Sequence, residues 1–122
     1  MPRATALASV LVVADDLMWS TRLVSQADRA GAAARVVRNV EMLEAAMDEA
    51  RPGLVVIDLG SQRFDGMRAI SVAAGRGIPV IGVAQHEDLA LRKRALGAGA
   101  GRVYAYAKMH SDGVSILREG LS

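Results

Sequence analysis

Short hydrophobic runs alternate along this chain with longer segments in which apolar residues recur at helical spacing. The short runs are rich in Val, Ile, Leu or Ala and are bounded by polar or turn-forming residues, which is typical of strands in a parallel sheet. They predict five strands, at residues 9–14, 33–38, 54–58, 78–84 and 102–107. The other segments predict five helices, at about residues 17–30, 40–50, 67–74 and 87–98 and from Ser111 or Asp112 onward.

Strands and helices that alternate in this way build one parallel sheet with helices on both faces. Right-handed crossovers leave five such strands only a few possible orders, and 2-1-3-4-5 is the commonest. We therefore expect an α/β, flavodoxin-like (βα)5 fold, a three-layer sandwich around a five-stranded parallel sheet. The 122 residues are 52% hydrophobic and 23% charged, which predicts a single domain over residues 1–122 with no output domain.

The charge bears on the classes of partner, and the cysteine content bears on the cellular compartment. The formal net charge is +2, without the clustered basic and aromatic stripe typical of nucleic-acid binding. The absence of cysteine excludes thiol chemistry and is compatible with the cytoplasm. Arg3 and the apolar stretch of residues 4–14 have the form of a signal peptide, but cleavage there would delete a central strand. No segment approaches the length of a membrane span, so we expect a cytoplasmic protein without nucleic-acid or membrane partners.

Two of the predicted strands end on aspartate. The first runs into Asp15 and Asp16, and the third ends at Asp58. The predicted strand order makes these strands neighbours, so the three carboxylates would meet where open α/β sheets bind ligands. They would repel one another unless a cation or a proton lies among them, which predicts a divalent-metal or proton-sharing site. Asp15 and Asp16 have the alternative role of capping the first helix.

Other candidates for chemistry are weaker. The glycine-rich residues 97–101 leave a helix and enter a strand, which is the reverse of the order in a phosphate-binding loop. His86 and His110 lie apart without partners at metal-ligand spacing, and we interpret both as exposed loop residues. His86 follows the fourth predicted strand, at the rim of the proposed cleft.

Taken together, several landmarks of the chain resemble the receiver domains of bacterial response regulators, particularly the stand-alone, chemotaxis-type receivers. The resemblance covers nearly the whole chain without a detectable insertion. Its residues are the strand that ends at Asp15, the strand 54–58, Phe64-Asp65-Gly66, the segment 77–81 and the segment 95–100.

The resemblance implies phosphoryl transfer from a histidine kinase to an aspartate, which is Asp58 here. Asp15 matches one of the family's two metal-binding acids, and the backbone carbonyl of Gly60 matches a third ligand of Mg²⁺. The metal screens the charges on the carboxylate and on the phosphoryl group during transfer. The resemblance therefore implies a signalling protein and not an enzyme, beyond self-phosphorylation on Asp58 from a phosphodonor.

The chain departs from the family pattern at three positions of the pocket around Asp58. The first acid position is Ala14, the hydroxyl residue that ends the fourth strand is Ala84, and the lysine that ends the fifth strand is Tyr106. Asp16 lies one residue beyond the acid pair and would join it only if the strand end were bulged. We therefore expect weakened Mg²⁺ binding and impaired or phosphorylation-independent switching, since such pocket groups act together.

Lys108 has two interpretations. On a strand that reaches residue 107 it would share the face of Tyr106 and could reach back toward the pocket as a substitute lysine, because side chains alternate along a strand. Otherwise it is an ordinary solvated residue at the end of the strand, which we favour.

The leading hypothesis is thus a receiver-like protein that acts through a histidine kinase or another signalling protein. The family's output face, formed by the fourth helix, the fifth strand and the fifth helix, would change partner or form a homodimer. One alternative is a flavodoxin-like module that binds a nucleotide or small ligand, although the acids make the site unfavourable for an anion. A hydrolase with Asp58 as nucleophile would lack an evident second catalytic acid.

Overall fold

The computed structural model describes residues 8–122, and Arg3 with residues 4–7 of the signal-peptide interpretation lie outside this range. The strands are β1 (Ala8–Val13), β2 (Ala32–Val37), β3 (Leu54–Asp58), β4 (Val80–Ala84) and β5 (Arg102–Ala105). The helices are α1 (Leu17–Arg29), α2 (Val40–Glu49), α3 (Gly66–Gly75), α4 (Leu89–Ala98) and α5 (Tyr106–Leu121). All strand pairs are parallel and the order is β2-β1-β3-β4-β5, so the predicted flavodoxin-like fold is confirmed.

The sheet separates two hydrophobic layers because successive side chains of a strand point to opposite faces. Leu11, Val13, Val55 and Ile57 contribute to the cluster that also contains residues of α2 and α3. The neighbouring residues of the same strands join the cluster formed with α1 and α5, namely Val10, Val12, Leu54 and Val56. All five residues of β3 are buried, which explains why this strand is an uninterrupted apolar run up to Asp58.

Four of the helices begin at a side chain that accepts a hydrogen bond from a backbone N–H in the first turn. The caps are Asp16 of α1, Asn39 of α2, Asp65 of α3 and Asp88 of α4. The alternative role of Asp16 as a cap of the first helix is confirmed. Within the described part of the chain, the helices are too short or too polar to cross a membrane.

The junction between β5 and α5 differs from the prediction. The strand ends at Ala105 and the helix begins at Tyr106, so both the strand over 102–107 and the helix start at Ser111 or Asp112 are wrong. Met109 and Gly113 are buried on one face of α5 a helical turn apart, together with Ile116. This helical burial pattern outweighs the strand preference of the tyrosine.

Ser111 and Asp112 are not helix caps because both side chains bind Lys108. Ser111 Oγ donates to the carbonyl of Lys108 at 3.3 Å, and a carboxylate oxygen of Asp112 lies 2.7 Å from the Lys108 ammonium. Asp112 has non-helical torsion angles, φ −117° and ψ 15°, so α5 is kinked at this residue.

Gln26 of α1 binds a backbone carbonyl beside the kink. Its Nε2 donates to the carbonyl of Met109 at 2.8 Å, next to the break in the helix. Gln26 is only 4% exposed, and the absence of a side chain at Gly113 leaves room for it. The kink and the buried glutamine together fix α5 on α1 and thereby place Tyr106, the first residue of α5.

Candidate functional site

Asp58 lies at the carboxyl end of the sheet, as the last residue of β3. It is 6% exposed and pairs in register with Val83 of β4. Burial raises the pKa of this carboxyl, hydrogen bonds from Tyr106 and from the N–H of Gly60 lower it, and the negative charges of Asp15 and Asp16 raise it. The net shift is upward, because the charged form is costly in this environment.

Tyr106 closes over this carboxyl. Its hydroxyl donates to Asp58 Oδ1 and accepts the N–H of Gly60 at 3.1 Å, while the same N–H is 3.0 Å from Asp58 Oδ1. A Cβ at position 60 would overlap the Tyr106 hydroxyl, so the glycine is required for this approach. Trp19 packs against the tyrosine edge to face, with ring centroids 5.2 Å apart and an interplanar angle of 73°. Burial and the bond to Asp58 raise the pKa of Tyr106, so its hydroxyl stays neutral at physiological pH.

Asp15 is bound by two residues of the loop that follows β3. Ser61 Oγ donates to Asp15 Oδ1 at 2.5 Å, and Arg63 Nε lies 3.2 Å from Asp15 Oδ2. The Asp15 side chain is 21% exposed and the Arg63 side chain 82%, so this ion pair borders solvent. Both carboxylate oxygens of Asp15 are therefore engaged by groups of the chain itself.

The structure places the remaining predicted residues as follows. Asp16 turns to the start of α1, where its Oδ1 accepts the N–H of Trp19 at 2.9 Å. Ala14 and Ala84 are buried to 0% and 2% exposure, and each presents only a methyl group. Positions 14 and 84, where the sequence lacks the expected acid and hydroxyl, are therefore filled by buried apolar side chains.

The interpretation of Lys108 as a substitute lysine is wrong for this structure. Its premise was a strand that continues past Tyr106, but Lys108 lies in the first turns of α5 and pairs with Asp112. Lys108 and His86 line a separate groove beside β5 and do not line the cavity around Asp58. Tyr106 is the residue of this segment that reaches Asp58.

The cavity at Asp58 has a volume of about 790 Å³ and also contains residues that the sequence analysis missed. They are Ser61, Gln62 and Arg63 from the loop after β3, and Gln85 from the loop after β4. The one sequence signal for Arg63 is its place in the loop that follows an aspartate-ended strand. A single basic residue in a loop does not identify its partner.

The residues as arranged do not fit a magnesium ion. Mg²⁺ requires free oxygen ligands in near-ideal octahedral geometry. Here both oxygens of Asp15 are bound, by Ser61 and Arg63, and Asp58 Oδ1 is bound by Tyr106 and the Gly60 N–H. Among residues 8–122 only Asp58 Oδ2 of these four oxygens has no partner, and one free carboxylate oxygen is too few for the ion. Over residues 8–122, acidic and histidine side chains form no group of three that could hold a metal. The chain instead supplies its own cation, the guanidinium of Arg63.

The raised pKa of Asp58 makes a pH-dependent stability test possible. A carboxyl whose pKa is higher in the folded than in the unfolded chain stabilises the fold when it is protonated. This stabilisation is lost as the pH rises from the ordinary pKa of 3.8 through the raised pKa of the folded chain. Asp58→Asn keeps an oxygen for Tyr106 and Gly60 but cannot ionise. We expect it to exceed the parent in free energy of unfolding at pH 7 by about 0.5–2 kcal/mol.

Urea denaturation between pH 3 and pH 7 measures this difference. The advantage of Asp58→Asn should grow with pH across that range, because only the parent acquires the buried charge. Asp28→Asn, at an exposed position of α1, is the matched control and should show no such trend. An advantage that shrinks as pH rises would contradict the upward shift.

Comparison with known proteins gives matches in structure only. No protein-family model matches the sequence, and no curated protein is similar to it in sequence. The receiver domain of NtrX from Brucella abortus has a TM-score of 0.83 and 19% identity, over 92% of this chain and 97% of that chain. A CheY-like response regulator receiver domain protein from Methanospirillum hungatei has a TM-score of 0.82 and 19% identity, over 95% of this chain and 94% of that chain.

The longer NtrX chain from Brucella abortus matches with a TM-score of 0.84 and 20% identity over 96% of this chain. This chain spans only 27% of its length. At these identities the likeness concerns the fold, and it confirms the expected resemblance to receiver domains at the level of architecture.

Proposed function

We propose that this chain, which has the fold of response-regulator receiver domains, is a signalling protein of two-component type that works without phosphorylation of Asp58. It would act in the cytoplasm by binding other proteins, among them a histidine kinase or a downstream signalling protein, and would have no enzymatic turnover. The fold likeness supports the signalling class. The neutral Tyr106 hydroxyl bound to Asp58 supports independence from phosphorylation.

The single observation that carries this proposal is the hydrogen bond from the Tyr106 hydroxyl to Asp58. A carboxylate accepts a phosphoryl group only when an oxygen is free to attack phosphorus and positive charge lies beside it. The phenol occupies Asp58 Oδ1 and brings no positive charge, because burial and the bond to Asp58 keep it neutral. Oδ2 accepts no hydrogen bond from residues 8–122, so what supports the proposal is the lack of positive charge beside the carboxylate. Tyr106 thus acts as a neutral cap at the position where a lysine would favour the reaction.

The positive charge of Arg63 does not replace the missing groups in this role. The guanidinium is directed to Asp15, and its Nε lies 3.2 Å from Asp15 Oδ2. The ion pair offsets part of the Asp15 charge, and the remaining repulsion between Asp15 and Asp58 is one cause of the raised Asp58 pKa. The resemblance implies that Asp58, Asp15 and the carbonyl of Gly60 are an acceptor and metal ligands, but the chain's own groups bind both oxygens of Asp15 and one oxygen of Asp58.

Incubation with a small-molecule phosphodonor and Mg²⁺, followed by intact-mass measurement, tests the proposal. We expect no phosphoryl adduct on the parent chain, with or without Mg²⁺, because no cation of the described residues lies beside Asp58 and both oxygens of Asp15 are bound. A phosphorylation-competent receiver-domain protein treated in parallel shows that the donor is active. An adduct on the parent that disappears in Asp58→Ala would refute phosphorylation independence.

A further inference from the structure

The cavity beside Asp58 is lined by more acids than bases. Three carboxylates line it, those of Asp15, Asp16 and Asp58, and they face one guanidinium, that of Arg63. The guanidinium is directed to Asp15, with its Nε 3.2 Å from Asp15 Oδ2. Within residues 8–122, neither Asp16 nor Asp58 forms a salt bridge. The cavity therefore carries an excess of negative charge that the described chain does not neutralise.

Asp58 and Asp16 each keep one carboxylate oxygen without a partner. Asp58 Oδ2 accepts no hydrogen bond from residues 8–122, since Tyr106 and the Gly60 N–H both bind Oδ1. The Asp58 side chain is only 6% exposed, yet Oδ2 is not among its fully enclosed polar atoms and opens on the cavity. Asp16 uses Oδ1 to cap α1, and its other oxygen is unbound over the same residues. A buried carboxylate oxygen without a donor is costly, so it favours a ligand that donates to it.

Two aromatic rings accompany these oxygens. Trp19 and Tyr106 both line the cavity, and their rings meet edge to face with centroids 5.2 Å apart. Both side chains are half-buried, so part of each ring is accessible. Aromatic faces attract cations and give methylene groups an apolar contact. Carboxylates next to aromatic rings therefore suit a cation that carries a carbon chain.

We propose that this cavity binds a small aliphatic amine in its protonated form. The ammonium donates a hydrogen bond to Asp58 Oδ2, and the carbon chain packs against Trp19 and Tyr106. A diamine fits best, because its second ammonium meets the free oxygen of Asp16. The inference deepens the proposed function and rests on it: at a site that takes no phosphoryl group, the bound amine is the signal.

An ammonium ion can bind where magnesium does not fit. Mg²⁺ needs several oxygen ligands in octahedral geometry, whereas an alkylammonium carries three N–H donors on a flexible chain. One free oxygen of Asp58 is enough to orient it, and water can complete its other hydrogen bonds. Its charge beside the carboxyl lowers the raised pKa of Asp58 toward the ordinary range. The same arrangement that excludes the metal thus accepts the amine.

Anionic and quaternary ligands fit the cavity less well. A phosphate or a nucleotide would meet the two unpaired acids, and the one guanidinium is already held by Asp15. A quaternary ammonium would gain the aromatic contact but has no N–H to donate to Asp58 Oδ2. The chemistry of the lining therefore selects an amine with N–H donors.

Titration of the full chain with putrescine, a four-carbon diamine, tests the inference. Tryptophan fluorescence and isothermal titration calorimetry follow the binding in parallel, and calorimetry detects it even where the emission of Trp19 does not change. We expect saturation with a Kd below about 1 mM. The neutral diol of the same length should not bind. Added salt should weaken the binding of the amine, because charge attraction is screened.

Three variants separate the contributions of the acids. Asp58→Asn keeps the shape of the side chain without its charge and should weaken putrescine binding by about tenfold or more. Asp28→Asn, at an exposed position of α1 outside the cavity, is the matched control and should change binding less than about twofold. Asp16→Asn retains a capping residue for α1 and should weaken the binding of putrescine but not that of n-butylamine, which has one ammonium.

A free amine and the lysine side chain of a partner protein present the same ammonium group. Nα-acetyl-lysine amide, whose backbone charges are blocked, distinguishes these two sources. We expect it to bind more weakly than putrescine, because it lacks the second ammonium for Asp16. Tighter binding of the lysine derivative would overturn the assignment to a free amine.

Four other outcomes contradict the inference. They are no emission change and no heat with putrescine up to about 10 mM, equal binding of the neutral diol, an equal loss of affinity in Asp28→Asn and Asp58→Asn, and displacement of putrescine by Mg²⁺ at the same concentration. These measurements report binding and not modification, so an absence of amine binding leaves the phosphodonor test unaffected. A phosphoryl adduct on Asp58 would refute phosphorylation independence whether or not the amine binds.

Discussion

A variant with Ala14→Asp, Ala84→Thr and Tyr106→Lys is expected to form a phosphoryl adduct on Asp58, whereas the proposed function predicts none on the parent chain. With a small-molecule phosphodonor such as acetyl phosphate and Mg²⁺, an Asp58 oxygen forms a bond to phosphorus as the bond to the acetate oxygen breaks. The three substitutions supply a second acid for the metal, a hydroxyl for a phosphoryl oxygen and a cation beside Asp58. We expect an increase in the modification rate of about 10²-fold or more.

Tyr106→Lys is the most important of the three changes because it both frees Asp58 and adds charge. Groups that stabilise one transition state act as a unit, so each single variant should gain much less than the combination. Removal of the phenol also breaks its bonds with Asp58 and with the Gly60 N–H, which leaves the carboxylate open to the donor.

Intact-mass kinetics of the triple variant, with and without Asp58→Ala, measure the effect. Ala14 and Ala84 are almost fully buried, so thermal unfolding of each variant first establishes that the larger side chains are accommodated. Tyr106→Lys alone serves as a second variant, since Tyr106 lines the cavity and the new side chain has room. If both folded variants remain unmodified, these positions are not what prevents phosphorylation.

Gly113→Ala is expected to lower the free energy of unfolding by about 2–4 kcal/mol. A Cβ on Gly113 would overlap three side-chain atoms of Gln26. Moving Gln26 aside would break the bond from its Nε2 to the carbonyl of Met109, which is 2.8 Å long and belongs to a side chain that is only 4% exposed. Its displacement would leave buried polar groups without partners. The resulting loss of stability is larger than the gain from the higher helix propensity of alanine.

Urea denaturation compares this variant with Gly97→Ala in α4. A Cβ at Gly97 would meet no atom within 4 Å, so this substitution should stabilise the chain by up to about 1 kcal/mol. Adding Gln26→Ala to Gly113→Ala removes the overlap and should recover part of the loss. Equal stabilities of Gly113→Ala and Gly97→Ala would show that the kink in α5 does not depend on Gln26.

The sequence predicts the architecture because the relevant signals are local and strong. Apolar runs that stop at Asp15 and Asp58 identify two neighbouring strands, and the handedness of crossovers then limits the strand order. The acids could be placed at one edge of the sheet on this basis, and the structure places them there.

The contacts within the site could not be predicted in the same way, since they depend on tertiary packing between distant segments. Tyr106 lies 48 residues from Asp58 and Ser61 lies 46 residues from Asp15. Tyrosine is common in strands, and the sequence around Ser111 offers plausible caps, so the pattern alone favoured a longer strand. Packing of α5 on α1 decides the boundary and therefore decides which residue reaches the acceptor position.

Trp19 gives the molecule an intrinsic optical probe of this cavity. It is the only tryptophan in the chain, and its ring rests edge-on against Tyr106, whose hydroxyl covers Asp58. A displacement of the tyrosine, whether by a bound partner, a substitution or a change of pH, changes the surroundings of the one dominant fluorophore. A change in the contact between Tyr106 and Asp58 can therefore be followed through the emission spectrum of the unlabelled protein.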